Sequence, residues 1–254
     1  EKATEAAKEG KADSGELRTY KLGVNGSDHE EWEKANELLA KDNIKVEMVE
    51  FSDYVKPNEA LEDGEIDLNA FQTEIYFNNF VKERGYTDLG ILAYTQVAPM
   101  GIYSSKYKSL DEATGHLIIA IPNDVTNGGR ALKFLEKNGF LTLKKEAGLT
   151  PTVMDIEKYN KDVEIVEMVA TQIPASLPDL SFACINNGVA KDAGLTLKND
   201  AIVYEDYKEP DMKNYWNIIA AKKDRIESED FQKIKKAYNS DEVKQVILEH
   251  YDGQ

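Results

Sequence analysis

Arg130 is the residue of this sequence with the clearest chemical capacity. It is predicted to lie in the first turn of a helix that follows Thr126, where a cation opposes the helix dipole unless an anion lies nearby. The same helix end offers free N–H groups, which also favour an anion. A guanidinium in that place suits a carboxylate, which it binds through two parallel hydrogen bonds. The alternative is an arginine that is solvated or paired with Asp124.

Residues 51–80, FSDYVKPNEALEDGEIDLNAFQTEIYFNNF, combine asparagines and aromatic residues without a catalytic nucleophile, a composition that indicates a recognition surface. Four aromatic residues lie near the ends of predicted elements, where side chains face a cleft: Phe51, Tyr54, Phe71 and Tyr76. The last three are predicted to form one wall of an apolar pocket for a ligand side chain. The alternative is that these rings belong to a core, which is the commoner place for aromatic side chains.

Strand and helix patterns alternate along the chain and predict an α/β fold with two mostly parallel sheets. A capping box of Ser27 and Glu30 is predicted to open a helix that runs to about Lys41. The uncharged stretch 89–104 is predicted to cross between two lobes, and residues 201–204 to form the return crossing. Because ligands bind beyond the carboxyl ends of strands in open α/β sheets, the cleft between the lobes is the predicted site.

The predicted division of the chain is a flexible tether over residues 1–17, a first lobe formed by residues 18–100 and 205–254, and a second lobe formed by residues 101–204. The tether prediction follows from alternating charges, many alanines and almost no large apolar residues. No run of 18 apolar residues occurs, so we expect no part of this chain to span a bilayer.

Composition narrows the class of function. A net charge of −16 argues against binding to nucleic acid, or to an anionic membrane surface through a basic patch. The single cysteine, Cys184, excludes an internal disulfide, and the 3 histidines are too scattered for a zinc motif, so no metal or cofactor is predicted. The acidic clusters Glu30–Glu31, Glu205–Asp206 and Glu229–Asp230 are interpreted as solvated.

Two blocks of sequence carry a family resemblance. The first combines FSDY, PN-x-AL, GEID-x-N and FQ within residues 51–72, and the second is PND-x-TN-x-x-R-AL at residues 122–132. Together they resemble the methionine-binding lipoproteins of ABC importers, the NlpA/MetQ family, and the resemblance extends over about residues 20–251. It implies a two-lobed, type 2 periplasmic-binding-protein-like fold in which each lobe is a mostly parallel sheet flanked by helices, with two crossover strands.

The resemblance also implies roles for individual residues. Arg130 matches the arginine with which the family binds the substrate carboxylate. Asn186 and Asn217 match asparagines that hold polar groups of the ligand, and amide oxygens accept hydrogen bonds from an amino group without burying a formal charge. Considered alone, each asparagine more often forms a turn or caps a helix. The three aromatic residues of the predicted wall match those that surround a thioether side chain in the family.

The chain departs from the family pattern at two places. Thr73 stands where relatives commonly have a histidine after FQ, and we include it among the predicted ligand contacts. The family's Asn-Gly-Asn-Tyr-Ala run reads Asn-Asn-Gly-Val-Ala at residues 186–190. Such changes alter the shape and the hydrogen bonding of a pocket. The predicted ligand is therefore methionine or a related amino acid, with a methionine-containing dipeptide as an alternative.

We therefore predict a solute-binding lipoprotein without enzymatic activity, which closes its lobes around one ligand and delivers it to an importer permease. We expect a monomer on the extracytoplasmic side of the cell membrane, attached only through an N-terminal lipid anchor that is missing from this chain. One alternative is an enzyme on the same frame, which needs a general base or a metal in the cleft. Another is a surface adhesion or signalling lipoprotein with the same fold.

Overall fold

The structure, a computed structural model, describes residues 15–250. Most of the predicted tether, residues 1–14, lies outside the described residues, and Gly15, Glu16 and Leu17 are exposed and have no regular secondary structure. Between residues 15 and 250, no helix has the length and apolar character that crossing a bilayer requires.

Twelve strands and eight α-helices alternate along the described chain, with short 3-10 turns between some of them. The strands are β1 (Arg18–Asn25), β2 (Ile44–Phe51), β3 (Leu68–Thr73), β4 (Leu89–Val97), β5 (Gly101–Tyr103), β6 (Leu117–Pro122), β7 (Leu141–Leu143), β8 (Ile156–Tyr159), β9 (Val163–Met168), β10 (Phe182–Ile185), β11 (Ala201–Tyr204) and β12 (Trp216–Lys222). The helices are α1 (Glu30–Leu39), α2 (Lys56–Asp63), α3 (Glu74–Arg84), α4 (Val125–Lys137), α5 (Ile173–Ser176), α6 (Asn187–Asp192), α7 (Glu229–Tyr238) and α8 (Asp241–His250).

Ten of these strands form two five-stranded sheets. The first sheet has the order β2-β1-β3-β12-β4, and β12 alone runs against its neighbours. The second sheet has the order β11-β5-β10-β6-β9, and there β5 alone runs against its neighbours. The remaining two, β7 and β8, pair antiparallel as a small separate sheet. The predicted α/β architecture of two mostly parallel sheets flanked by helices is confirmed.

The chain passes twice between the sheets. It leaves the first sheet at Val97 and enters the second at Gly101, and it returns between Tyr204 and Trp216. We call residues 98–100 and 205–215 the first and second crossing segments. The uncharged stretch 89–104 therefore contributes one strand to each sheet, as its composition indicates.

Each sheet is covered because its strands and helices carry apolar residues at the spacing of their own geometry. Strand β10, FACI, is buried at every position, which is typical of a strand with both faces covered. Helix α1 buries Trp32, Ala35 and Leu39 at helical spacing, and these side chains pack in one cluster with α7 and α8. The buried apolar residues thus hold each sheet in its layer of helices.

Two helix starts differ from the sequence-based prediction. Helix α1 begins at Glu30 with His29 at its N-cap position, so the predicted start at Ser27 is wrong. Residues 26–29 instead form a loop at the cavity edge, where Gly26 lies against the carboxylate of Asp192. Helix α4 begins at Val125, two residues before the predicted start after Thr126, and this places Arg130 in its second turn.

Candidate functional site

A cavity of about 650 Å³ contains all the residues predicted to contact a ligand. Its lining includes Tyr54, Phe71, Thr73, Tyr76, Arg130, Asn186 and Asn217. Because these residues come from both sheets, the cavity lies where the two sheets face each other. The structure thus brings together side chains that are up to 163 positions apart in the sequence, from Tyr54 to Asn217.

Strand direction explains why these residues meet. In the first sheet, β1, β2 and β3 end at Asn25, Phe51 and Thr73, and all three residues line the cavity. Asn217 lies near the start of the antiparallel β12, directly opposite Thr73. The start of an antiparallel strand lies at the same edge as the carboxyl ends of its neighbours. In the second sheet, helix α4, which follows β6, supplies Arg130, and the loop after β10 supplies Asn186.

The aromatic wall consists of three rings in mutual contact. The ring centroids of Tyr54 and Phe71 are 6.0 Å apart, and Tyr76 lies 6.2 Å from each of them in an edge-to-face arrangement. The hydroxyl of Tyr76 donates a hydrogen bond of 2.8 Å to the backbone oxygen of Tyr54. Burial raises the pKa of both phenols well above the usual value, so both stay neutral.

A buried amide cluster holds the strand that carries Phe71. Asn58 and Gln72 exchange hydrogen bonds of 2.8 and 2.7 Å, and Asn69 donates to Asn58 at 2.9 Å while accepting from Gln72 at 2.8 Å. Asn58 and Asn69 are fully buried, so these bonds replace hydration that is lost on folding. The asparagines and the glutamine of the first family block therefore attach α2 to β3, the strand that carries Phe71.

Arg130 is buried and engaged by the chain itself. Its Nε donates to both carboxylate oxygens of Glu205 at 3.1 Å, and its Nη2 donates to Oε2 of Glu205 and, at 2.9 Å, to the backbone oxygen of Ala98. Cζ of the guanidinium lies over the ring of Tyr215, 4.3 Å from its centroid, which is a cation–π contact. Nη1 makes no hydrogen bond with any residue in 15–250, and Arg130 lines the cavity.

The alternative pairing of Arg130 with Asp124 is wrong. Asp124 is the N-cap residue of α4 and accepts the backbone N–H of Asn127 at 2.8 Å and the hydroxyl of Thr126 at 2.9 Å. Its carboxylate therefore occupies the helix end that we expected to attract an external anion. The guanidinium, and not the helix terminus, is the group left to receive one.

Asn186 occupies the N-cap position of α6 without making a side-chain cap bond. Its amide nitrogen donates to Oδ1 of Asn127 at 2.8 Å, and the amide nitrogen of Asn127 donates to both carboxylate oxygens of Asp124 at 3.1 and 3.0 Å. A carboxylate accepts hydrogen bonds only, so this chain of donors orients both amides. Oδ1 of Asn186 is left buried without a donor among the described residues.

Thr73 has a structural role that the sequence analysis did not assign. It is the N-cap residue of α3, and its hydroxyl accepts the backbone N–H of Tyr76 at 3.3 Å. Strand β3 continues to Thr73, and α3 begins only at Glu74. The residue that differs from the family's histidine therefore sets the start of the helix that carries Tyr76.

Acidic residues near the cavity are more buried than the sequence analysis predicted. Glu205 is 9% exposed and Glu31 is 4% exposed, so the interpretation as solvated is wrong for these two residues, whereas their neighbours Asp206 and Glu30 are exposed as predicted. Oε2 of Glu31 has no hydrogen-bond partner in the described part of the chain, and Oε1 lies 3.9 Å from Nδ1 of His29. Burial acts to lower the pKa of His29, but its contacts with Glu31 and with the backbone oxygen of Gly26, together with nearby carboxylates, raise it overall.

Three residues of the site were not predicted from the sequence as functional: Glu205, Asn127 and Tyr215. Glu205 follows β11 directly, so the criterion of a polar residue at a strand end that selected Asn186 would also have selected it. Asn127 belongs to the second family block, but asparagine is common in the first turn of a helix, so its residue type gives no sign of a role in the site. Tyr215 lies in the second crossing segment, and no local pattern marks it.

The chain is similar to known proteins over most of its length. A model of the NlpA lipoprotein family matches residues 20–254. The chain is 42% identical over 213 residues to the probable D-methionine-binding lipoprotein MetQ of Vibrio cholerae, covering 84% of this chain and 77% of that protein.

Two solved structures are also similar. One is a nutrient-binding protein from Burkholderia cenocepacia bound to methionine, with a TM-score of 0.86, 37% identity, and coverage of 92% of this chain and 97% of that one. The other is the substrate-binding protein of a methionine transporter from Streptococcus pneumoniae, with a TM-score of 0.86, 37% identity, and coverage of 92% and 94%.

Proposed function

Since the chain belongs to the NlpA lipoprotein family, we propose that it binds methionine or a related amino acid in the cavity and delivers it to the permease of an ABC importer. The observation that carries the proposal is the presence of three kinds of group around one cavity. These are the guanidinium of Arg130, the donor-free amide oxygen of Asn186 and the aromatic wall. Methionine has a matching carboxylate, amino group and thioether. The relatives named above are described as methionine binders, which supports the same assignment.

In the proposed complex, the ligand carboxylate accepts hydrogen bonds from Arg130. The ligand ammonium donates to the amide oxygen of Asn186 and to Asn217. The ligand side chain lies against Tyr54, Phe71 and Tyr76, where sulfur gains from contact with aromatic rings. Thr73 contributes to the same wall by fixing the start of the helix that carries Tyr76.

The proposed mechanism is closure of two lobes around the ligand, without any bond being made or broken. The lobes are residues 18–100 with 205–254, and residues 101–204, and the strand order of the two sheets supports these bounds. Closure needs bending only in the two crossing segments. The closed, monomeric protein would then dock on the permease from the extracytoplasmic side. Residues 1–17 would serve as a tether from a lipid anchor, as the lipoprotein relatives suggest.

A methionine-containing dipeptide is a second candidate. The cavity volume of about 650 Å³ supports it, since pockets of roughly 300–1,000 Å³ accommodate drug-sized ligands. In that case the same arginine would receive the terminal carboxylate, and the additional residue would lie near the carboxylates of Glu31 and Glu50, which also line the cavity.

A ligand screen tests the proposal. The melting temperature of the purified protein would be measured with each of the twenty amino acids, their D-forms and methionyl dipeptides, and hits would be titrated by calorimetry. We expect L- or D-methionine, or a close analogue, to raise the melting temperature through preferential binding to the folded state. Asn186→Ala should weaken this ligand at least about tenfold, because a hydrogen bond to an ionised group is lost. The proposal fails if no compound of the screen binds, or if Asn186→Ala and Phe71→Ala both leave the affinity unchanged.

A further inference from the structure

We propose that Glu205 is a positioning residue that makes the cavity select zwitterions over simple carboxylates. The inference rests on the proposed function, because it takes Arg130 as the group that receives the ligand carboxylate. Glu205 does not line the cavity, and it acts through the arginine that does. Its role is to cancel the charge of that arginine while leaving one nitrogen for the ligand.

The first support is the geometry of the ion pair. Glu205 uses both oxygens on Nε and Nη2 of Arg130, with the shortest contact at 2.5 Å. Arg130 is 3% exposed and Glu205 is 9% exposed, so water screens the pair weakly. A buried guanidinium without a counter-ion would be strongly unfavourable, and Glu205 removes that penalty when the cavity holds no ligand. The cation is therefore compensated before any ligand arrives.

The second support is that hydrogen bonds and a ring contact connect the Arg130–Glu205 pair to both crossing segments. The backbone N–H of Met100 donates to Oε2 of Glu205 at 2.7 Å, and the backbone N–H of Glu205 donates to the oxygen of Met100 at 3.0 Å. Arg130 donates to Ala98 in the first segment and stacks on Tyr215 in the second. These bonds fix the position of the guanidinium, so a ligand carboxylate meets a preorganised donor.

The third support is the charge of the cavity lining. Among the described residues it contains four carboxylates, two permanent cations and one histidine: Asp28, Glu31, Glu50, Asp192, Arg130, Lys191 and His29. With Arg130 already neutralised by Glu205, the surroundings are acidic. A ligand with only a carboxylate brings a further negative charge into this field, whereas a zwitterion brings an equal positive charge with it. Selection against simple anions follows from Coulomb repulsion at short distance.

The experiment compares three ligands of one size on the wild-type chain and on two variants. The first ligand is methionine, a zwitterion. The second is its deaminated analogue 4-(methylthio)butanoate, an anion, and the third is methionine methyl ester, a cation. Glu205→Gln removes the charge behind Arg130. Glu209→Gln serves as the matched control. It removes one negative charge from the same crossing segment, but Glu209 is exposed and pairs with Lys137. Dissociation constants are measured by calorimetry at pH 7.

We expect the ratio of the dissociation constants of the anion and methionine to fall about tenfold in Glu205→Gln, because removing one negative charge helps a ligand of net charge −1 more than a zwitterion of net charge zero. In Glu209→Gln the ratio should stay as in the wild type. A purely structural role for Glu205 would weaken both ligands alike and leave the ratio unchanged, which would overturn the inference.

A measurement on the unmodified chain keeps the inference testable if Glu205→Gln does not fold. The methyl ester should bind the wild type more tightly than 4-(methylthio)butanoate, because the compensated arginine and the acidic lining favour a cation. Tighter binding of the anion would overturn the inference even if methionine binds well. Failure of methionine itself to bind would instead contradict the proposed function, so the two failures can be told apart.

Discussion

The amide nitrogen of Asn186 donates a hydrogen bond of 2.8 Å to Oδ1 of Asn127, across 59 positions of sequence. Asn127 is held in turn by the carboxylate of Asp124. Because a carboxylate only accepts hydrogen bonds, Asp124 orients the amide of Asn127 and, through it, the amide of Asn186, although Asp124 itself does not line the cavity. The amide oxygen of Asn186, which we assign as the acceptor for the ligand ammonium, is therefore oriented by the N-cap residue of α4.

The first prediction concerns Asn127, whose replacement by leucine keeps the number and branching of the side-chain heavy atoms but removes the hydrogen bonds to Asn186 and Asp124. The Asn186 amide would then be free to rotate, and affinity for the ligand should fall about tenfold, the value of a hydrogen bond to a charged group. Calorimetric titration measures this change. Asn138→Leu, at the opposite end of the same helix, should leave affinity unchanged. In combination with Asn186→Ala the loss should not add, because both changes remove one interaction.

The second prediction concerns the sulfur preference of the aromatic wall. Phe71→Leu should reduce the preference for methionine over norleucine by about two- to tenfold, because sulfur–aromatic contacts contribute about 0.3–1.5 kcal/mol. Competition titration with the two amino acids measures the preference. Tyr86→Leu is the control, since its ring lies 6.1 Å from Phe80 and does not line the cavity. Equal losses for both ligands in Phe71→Leu would show that the ring contributes only apolar area.

The third prediction concerns the cap of α3. Thr73→Ala should lower the free energy of unfolding by about 1 kcal/mol, because the N–H of Tyr76 loses its side-chain acceptor. Thr73→Ser keeps a hydroxyl and should stay within about 0.5 kcal/mol of the wild type. Urea denaturation of the three proteins measures the difference. If the alanine and serine variants unfold at the same urea concentration, the cap contributes nothing measurable.

The fourth prediction concerns pH and Asp230. Its carboxylate accepts hydrogen bonds from Arg18 at 2.6 and 3.0 Å and from Tyr20 at 2.6 Å, and the bond from Arg18 is the largest cause of a lowered pKa. A lowered pKa in the folded state contributes stability that is present above the unfolded pKa and is lost as pH falls through the folded pKa.

Asp230→Asn should therefore destabilise the protein by about 1 kcal/mol at pH 7, a value kept small because Arg18 is partly exposed. The difference from the wild type should shrink as pH falls below about 4, where an unfolded aspartate becomes protonated. Urea denaturation at several pH values gives the curve, and the exposed Asp111→Asn serves as the control. A difference that is constant with pH would show that the charge is not involved.

Most secondary-structure elements were predictable because their signals are local. Pro57 and Gly64 bracket α2, and Gly85 ends α3, as the sequence indicates. The start of α1 was not predictable from Ser27 and Glu30, although the pattern fits a capping box. Residues 26–29 line the cavity and face α6 of the other sheet, and that tertiary contact overrides the local preference.

The sequence by itself determined the family, through its two motif blocks, and the α/β class, through alternating apolar patterns. It also predicted seven residues that line the cavity, but not Asn127, which lines it as well. Only the tertiary structure decided how those residues act. The partner of Arg130 is Glu205, 75 positions away, and not the nearby Asp124. Which charge lies against which depends on how two sheets and two crossing segments come together. Hydrogen bonds and ion pairs depend on distance in space, and sequence spacing does not specify that distance for residues in different elements.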